Sequence, residues 1–283
     1  MNRKGIRLVA PLALATAATL GLGLSQPAQA ADSTGETQLV TSDQLGDLYH
    51  TVRHADGTWD YHASFPDQWV TPTDMSAADV DGRLEVMMLI NGLPQVSELG
   101  PDGTWTTTNG DQVPTIGNDR LRSAAIVANG DTLRVVELDG AGHTVGVTDR
   151  ISTGWTPVKT RIANGSPKFD GKEIAAAQVG GELQITTLSD STEALGKPRL
   201  DHGILDADGY WAGFAPIDLH GQGSPARIGM TASNSEMQLT YSTLDGALFH
   251  LIRHADHTWQ APGNVESATG GGTVGEWVTI AGV

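Results

Sequence analysis

Residues 124–128 form a short apolar run that stops at Asn129-Gly130, and residues 132–138 form a second that stops at Asp139-Gly140. A third run covers 143–148, and a fourth segment surrounds Trp155. Asn-Gly and Asp-Gly suit two-residue hairpin turns, whose central residues take φ > 0. Short runs rich in β-branched residues between such turns predict antiparallel strands. Nowhere does the chain sustain the period of an amphipathic helix. Four short strands in about 45–50 residues is the length of one propeller blade.

The unit recurs. Residues 37–59 and 237–259 align without a gap and are identical at 12 of 23 positions. Three weaker copies lie between them. Each copy has a strand centred on a leucine (Leu39, Leu84, Leu133, Leu183 and Leu239), at successive spacings of 45, 49, 50 and 56. Each leucine is followed by a tryptophan: Trp59, Trp105, Trp155, Trp211 and Trp259. The fourth copy alone carries an insertion, near residues 195–208.

The first copy starts at its second strand, because Thr37 aligns with Met237. The final stretch, Val278-Thr279-Ile280-Ala281-Gly282-Val283, resembles the first strand of another copy. Pairing it with the N-terminal strands leaves no open sheet edge at the seam. The expectation is all-β: a five-bladed β-propeller over residues 37–283, with the C-terminal strand closing the N-terminal blade. A β-sandwich or an open array is the alternative. Residues 31–36 are expected to be a flexible tail.

Residues 1–30 stand apart from this pattern. Arg3, Lys4 and Arg7 precede a Leu- and Ala-rich run over 8–24, and Ala28-Gln29-Ala30 follows. Basic start, apolar run and A-x-A make a signal peptide. The run is too Gly-rich and too short for a spanning helix, which wants about 20 strongly apolar residues. The protein is expected to be secreted and extracellular, with no membrane insertion.

Three of the 17 basic residues and none of the 33 acidic ones fall in the first 30, so the remainder has a formal charge of −19. Phosphate backbones need a basic footprint, which excludes nucleic acid as an expected partner. Cysteine is absent, so stability must come from a buried core.

No H-E-x-x-H, G-x-S-x-G or phosphate-loop pattern occurs. Most Asp-Gly pairs satisfy turn geometry. Two features stand out. The first is the tryptophan of each copy, just after a turn in Asp56-Gly57-Thr58-Trp59 and Asp102-Gly103-Thr104-Trp105. It either wedges between blades or offers an indole face to a sugar ring. The second is His50, Arg53, His54 and Asp56, echoed by His250, Arg253, His254 and Asp256. In a strand, His50 and His54 point to one face and Arg53 to the other. The set either binds a polar ligand or forms a hydrogen-bonded network that holds the seam. A metal on His50 and His54 lacks a third ligand in the sequence, and no cofactor is expected.

The repeated Asp-Gly-x-Leu and Arg-His-Ala-Asp-Gly-Thr-Trp pattern of residues 37–283 resembles the repeats of tachylectin-like and bacterial fucose-type propeller lectins. That resemblance implies a non-enzymatic carbohydrate-binding propeller, acting as a monomer on a glycan or cell-surface carbohydrate. Such lectins hold sugars in pockets between blades, which makes the tryptophans and nearby polar residues candidates here. The copies diverge more than multivalent lectin repeats do, which points to the first and last copies. A glycoside hydrolase or lyase on the same scaffold is the alternative, and it needs paired carboxylates in an axial pocket. A protein-binding propeller is a third reading.

Overall fold

The computed structural model describes residues 72–265, apart from 81–82, 101–102, 109–112, 117–119, 163–169, 192–196 and 234. It also describes the backbone of strands at 28–29, 37–42, 48–53 and 63–64. The expected turns join the expected strands into antiparallel meanders. Blade I runs Asp74–Val80, Arg83–Ile90, Leu93–Leu99 and Trp105–Thr108. Blade II runs Leu121–Asn129, Thr132–Asp139 and Thr144–Ile151, with Gly154–Trp155 and Lys159–Ile162 sharing its outer edge. Blade III runs Gly171–Val179, Glu182–Ser191, Lys197–Leu205 and Trp211–Pro216. Blade IV runs Pro225–Ser233, Glu236–Thr243, Leu248–Arg253 and Gly263–Asn264.

The chain is an all-β propeller with four complete blades, one fewer than the repeat count. The first copy forms a sheet of three strands, Thr37–Ser42, Leu48–Arg53 and Ala63–Ser64. Among the described residues this sheet has no innermost strand, as expected of a copy that begins at its second. The stretch expected to supply that strand, 278–283, lies outside the described residues, as do the tail at 31–36 and most of 1–30. Ala28–Gln29 runs parallel to the first strand of blade I.

The inner strands of successive blades sit side by side. One register position stitches them together: Asp74, Ser123, Glu173 and Arg227 face Leu89, Leu138, Leu188 and Ser242 in their own hairpins. Asp74 Oδ2 accepts from Ala124 N at 3.0 Å and from Ser123 Oγ at 2.5 Å. Ser123 Oγ accepts from Ile174 N at 3.0 Å, and Glu173 Oε1 accepts from Ile228 N at 3.2 Å. Each polar side chain thus satisfies a backbone N–H of the next blade, which would otherwise be an unpaired buried donor. Between the blades lie apolar clusters built from alternate strand positions, such as Ala125, Val136, Ile174 and Ile185. Burying such faces is the main favourable contribution to folding.

The hairpin turns also set the true repeat register. Leu84, Leu133, Leu183 and Met237 each stand one residue inside the first hairpin. Leu239 is two positions further along. A shift of two keeps the same strand face, so a leucine-based alignment does not reveal it.

Candidate functional site

Three of the repeat tryptophans come out as wedges. Trp155, Trp211 and Trp259 are half-buried and pack on apolar clusters that span adjacent blades, whereas Trp105, also half-buried, packs on a cluster drawn from blade I alone. Trp259 meets His202 of blade III edge-on, with ring centroids 5.2 Å apart. Trp211 meets Phe214 at 5.0 Å and 83°, and its ring lies so close over Gly203 that a Cβ there would collide with it. Trp59 is outside the described residues.

Opposite each tryptophan, on the third strand, stands a residue that alternates in character. Trp105 faces Leu99, Trp155 faces Arg150, Trp211 faces Leu205 and Trp259 faces Arg253. The two arginines reach back to the preceding blade. Arg150 Nη1 donates to Glu85 Oε2 at 3.0 Å, Nη2 binds Glu85 Oε1, and Nη1 lies 3.6 Å from Glu98. Arg253 Nη1 donates to Gln184 Oε1 at 3.1 Å. Glu85 and Gln184 share one register position, each next to the turn-proximal leucine. Glu85 is fully buried, and burial raises its carboxyl against the pull of Arg150.

Between blades II and III the arginine is replaced by Leu205, and a cleft of about 480 Å³ is present there. Its blade II wall carries Arg134, Asp149 and Lys159; its blade III wall carries Gln178, Leu205 and the turn Asp206-Ala207-Asp208-Gly209. Arg134 occupies the position that Glu85 and Gln184 hold elsewhere. It forms a two-pronged pair with Asp149 on the facing strand, at 2.6 and 3.2 Å, and its Nη1 reaches Gln178 at 3.5 Å. The turn is held by Asp206 Oδ1, which accepts from Tyr210 N at 2.8 Å. This cleft brings cationic donors and carboxylate acceptors together over an apolar floor of Val147 and Leu205.

In the last copy the His-Arg-His-Asp set does not converge. Arg253 points toward blade III. His250, with opposite parity, pairs with Gln238 of its own blade at 2.8 Å, and burial lowers its proton affinity. His254 lies past the strand end and pairs with Glu236 at 2.7 Å. Asp256 is exposed and secures its turn, accepting from Thr258 N at 3.0 Å and Thr258 Oγ1 at 2.6 Å. In the first copy, His50 and Arg53 have described backbone only, with Arg53 opposite Thr37; His54 and Asp56 fall outside. The cleft residues Arg134 and Gln178 carry no motif that a sequence scan isolates. Asp149 is one of the polar residues that mark copy three.

Among the described residues, no group of three or more His, Asp or Glu side chains is placed to hold a metal. No helix among them is long and apolar enough to cross a membrane. Asp74 Oδ2 and Glu173 Oε1 on the inner strands accept from backbone donors of the next blade, and Arg227 lies 3.5 Å from Glu173 Oε2.

The architecture is that of a β-propeller. No protein-family model matches the chain, and no curated protein does, but solved structures do. One is the six-bladed fucose-recognising lectin of Aleuria aurantia: 16% identity, TM-score 0.60, covering 89% of this chain and 81% of that one. A second is the BP39L lectin of Burkholderia pseudomallei, with 16% identity, TM-score 0.57 and coverage of 82% and 67%. A third is AofleA of Arthrobotrys oligospora, with 14% identity, TM-score 0.57 and coverage of 81% and 68%. The resemblance to fucose-type lectin propellers therefore holds at the level of the fold.

Proposed function

We propose that the protein is a secreted, non-enzymatic lectin-like propeller that binds a saccharide in the cleft between blades II and III. The observation that carries this reading is the open polar cleft itself. Sugar hydroxyls both donate and accept, and this cleft offers Arg134, Lys159 and Gln178 beside Asp149 and Asp206. Its volume is in the range of small-ligand sites, about 300–1,000 Å³. Fucose-bearing glycans come first among candidate ligands, because the Aleuria lectin recognises fucose. The enzyme alternative finds little support, since Asp74 and Glu173 serve as inter-blade staples rather than as an exposed carboxylate pair.

The ring is proposed to close as a fifth blade, the C-terminal segment supplying the inner strand that the three-stranded sheet lacks. Deleting residues 276–283 then lowers the melting temperature sharply. The binding test is a glycan array followed by calorimetry with the wild type and an Arg134→Ala variant. Binding to some glycan that is lost in folded Arg134→Ala supports the reading. No binding to any glycan by folded protein overturns it.

A further inference from the structure

We propose that the residue paired with the repeat tryptophan is a gate: an arginine there shuts the inter-blade cleft in front of its blade, and a leucine leaves it open. The proposal rests on the saccharide site assigned to the blade II–III cleft and says which other clefts share that role.

The three clefts among blades I–IV differ at this position in a consistent way. In front of blade II, Arg150 crosses to Glu85 and Glu98 of blade I, and Arg83 joins Glu98 from the other side at 3.2 Å. In front of blade IV, Arg253 crosses to Gln184, and both are nearly inaccessible, at 5% and 2% exposure. His202 also bonds Gln184 at 3.0 Å. Both guanidinium groups tie their blade to the facing one, with Arg253 nearly inaccessible and Arg150 keeping 22% of its side chain exposed. In front of blade III, Leu205 has no polar atom to send across. Arg134 reaches Gln178 across the gap only at 3.5 Å, and its shorter contacts turn back to Asp149 within its own blade. The gap between the blades stays open there as the cleft already described.

The cleft before blade IV carries a second latch. His257 Nε2 lies 3.2 Å from Glu182 of blade III. His257 has φ 71°, in the turn slot that Gly103 and Gly209 fill at 78° and 82°. A left-handed backbone disfavours any side chain but glycine's lack of one. Histidine is one of the few side chains that tolerate this conformation, and here it makes the contact with Glu182 across the blades.

The test has two arms. In the first, Leu205→Arg is titrated with methyl α-L-fucoside beside the wild type. One fewer sugar bound per chain, with unchanged circular dichroism, is expected. A folded variant with wild-type stoichiometry and affinity overturns the gate, and Leu205→Lys replaces it if the arginine variant does not fold. The second arm needs no sugar: the crystal structure of Arg253→Leu combined with His257→Gly. A new cavity between blades III and IV is expected, and a closed interface in the folded variant overturns the proposal. If the wild type binds no fucoside, the second arm alone decides the gate, and only fucose falls as the ligand, the saccharide reading being left to the glycan array.

Discussion

Arg134 grips Asp149 across one rung of blade II, Nε to Oδ1 at 2.6 Å and Nη2 to Oδ2 at 3.2 Å. Two parallel charge-assisted bonds fix the guanidinium plane more firmly than a single contact does. The pair is about four-fifths shielded from water, at 17% and 20% exposure, and it forms the polar wall of the blade II–III cleft. Arg134→Ala is expected to weaken saccharide binding by tenfold or more, the worth of about 1.4 kcal/mol. Asp149→Asn, which keeps the shape but loses the charge, is expected to weaken it less. Calorimetric titration of the two variants checks the order, and equal affinities for wild type and Arg134→Ala refute it.

The tryptophans are expected to act on stability more than on binding. Gly203 lies under the Trp211 ring with no room for a methyl group. Gly203→Ala therefore forces the indole off its seat, an overpacking cost of about 1–3 kcal/mol. Trp211→Ala empties the same space, and large core truncations of this kind cost about 3–5 kcal/mol. Urea denaturation measures both. A Trp211→Ala protein as stable as wild type would show that the ring is not a wedge.

The repeat, the strands and the turns were legible in the sequence because strand periodicity and Asn-Gly or Asp-Gly turns are local signals. The site was less so. Similarity between the first and last copies points to His250, Arg253, His254 and Asp256. In the fold, parity sends Arg253 to one inter-blade face and His250 to the other, while His254 and Asp256 belong to a turn. Arg134 went unnoticed because its importance depends on what the neighbouring blade lacks. One signal was present. The residue six before the tryptophan reads Arg53, Leu99, Leu205 and Arg253, and Arg150 sits five before Trp155 because its turn is one residue shorter. Only strand pairing shows that these positions are equivalent.

Ser123 gives a sharper test of the inner stitching. Its hydroxyl donates to Asp74 and accepts from Ile174 N, linking blades I, II and III through one oxygen. Ser123→Ala leaves a buried N–H and a buried carboxylate oxygen each short of a partner. Asp74 Oδ2 keeps its bond from Ala124 N, and a buried group left short of a partner costs about 1–3 kcal/mol, so the loss is expected to exceed that of the single hydroxyl pair that Ser97 makes with Thr107. Thermal unfolding of Ser123→Ala, compared with Ser97→Ala in the outer part of blade I, reads the difference. Equal losses would mean that the stitch contributes nothing special.

Buried acids set the pH dependence of stability. Burial pushes the Glu137 carboxyl up to about 8, against the one hydrogen bond it accepts from Ile116 N. Burial, with Asp74 next in weight, also pushes Glu173 up to about 8, and burial carries Asp74 to about 6. A carboxyl that holds its proton more tightly when folded makes the native state proton-rich. Its stabilising effect is complete below the unfolded value and is lost as pH rises to the folded one. His202 works the other way: burial, then Arg253, lowers it from 6.5 to about 3, which costs stability as pH falls through 6.5. Between 6.5 and 8 the two glutamates lower the melting temperature as pH rises, and His202, half protonated at 6.5 in the unfolded chain, opposes them only at the low end, so the fall is expected to steepen toward the upper end. Each tenfold difference in proton affinity is worth about 1.4 kcal/mol. Glu137→Gln, whose amide oxygen still accepts from Ile116 N, is expected to flatten that slope and to raise stability at pH 8 relative to wild type. Melting curves at half-unit pH steps decide the matter. A wild-type profile that is flat from 6.5 to 8, or a Glu137→Gln profile as steep as the wild type's, would show that Glu137 is ionised in the folded protein.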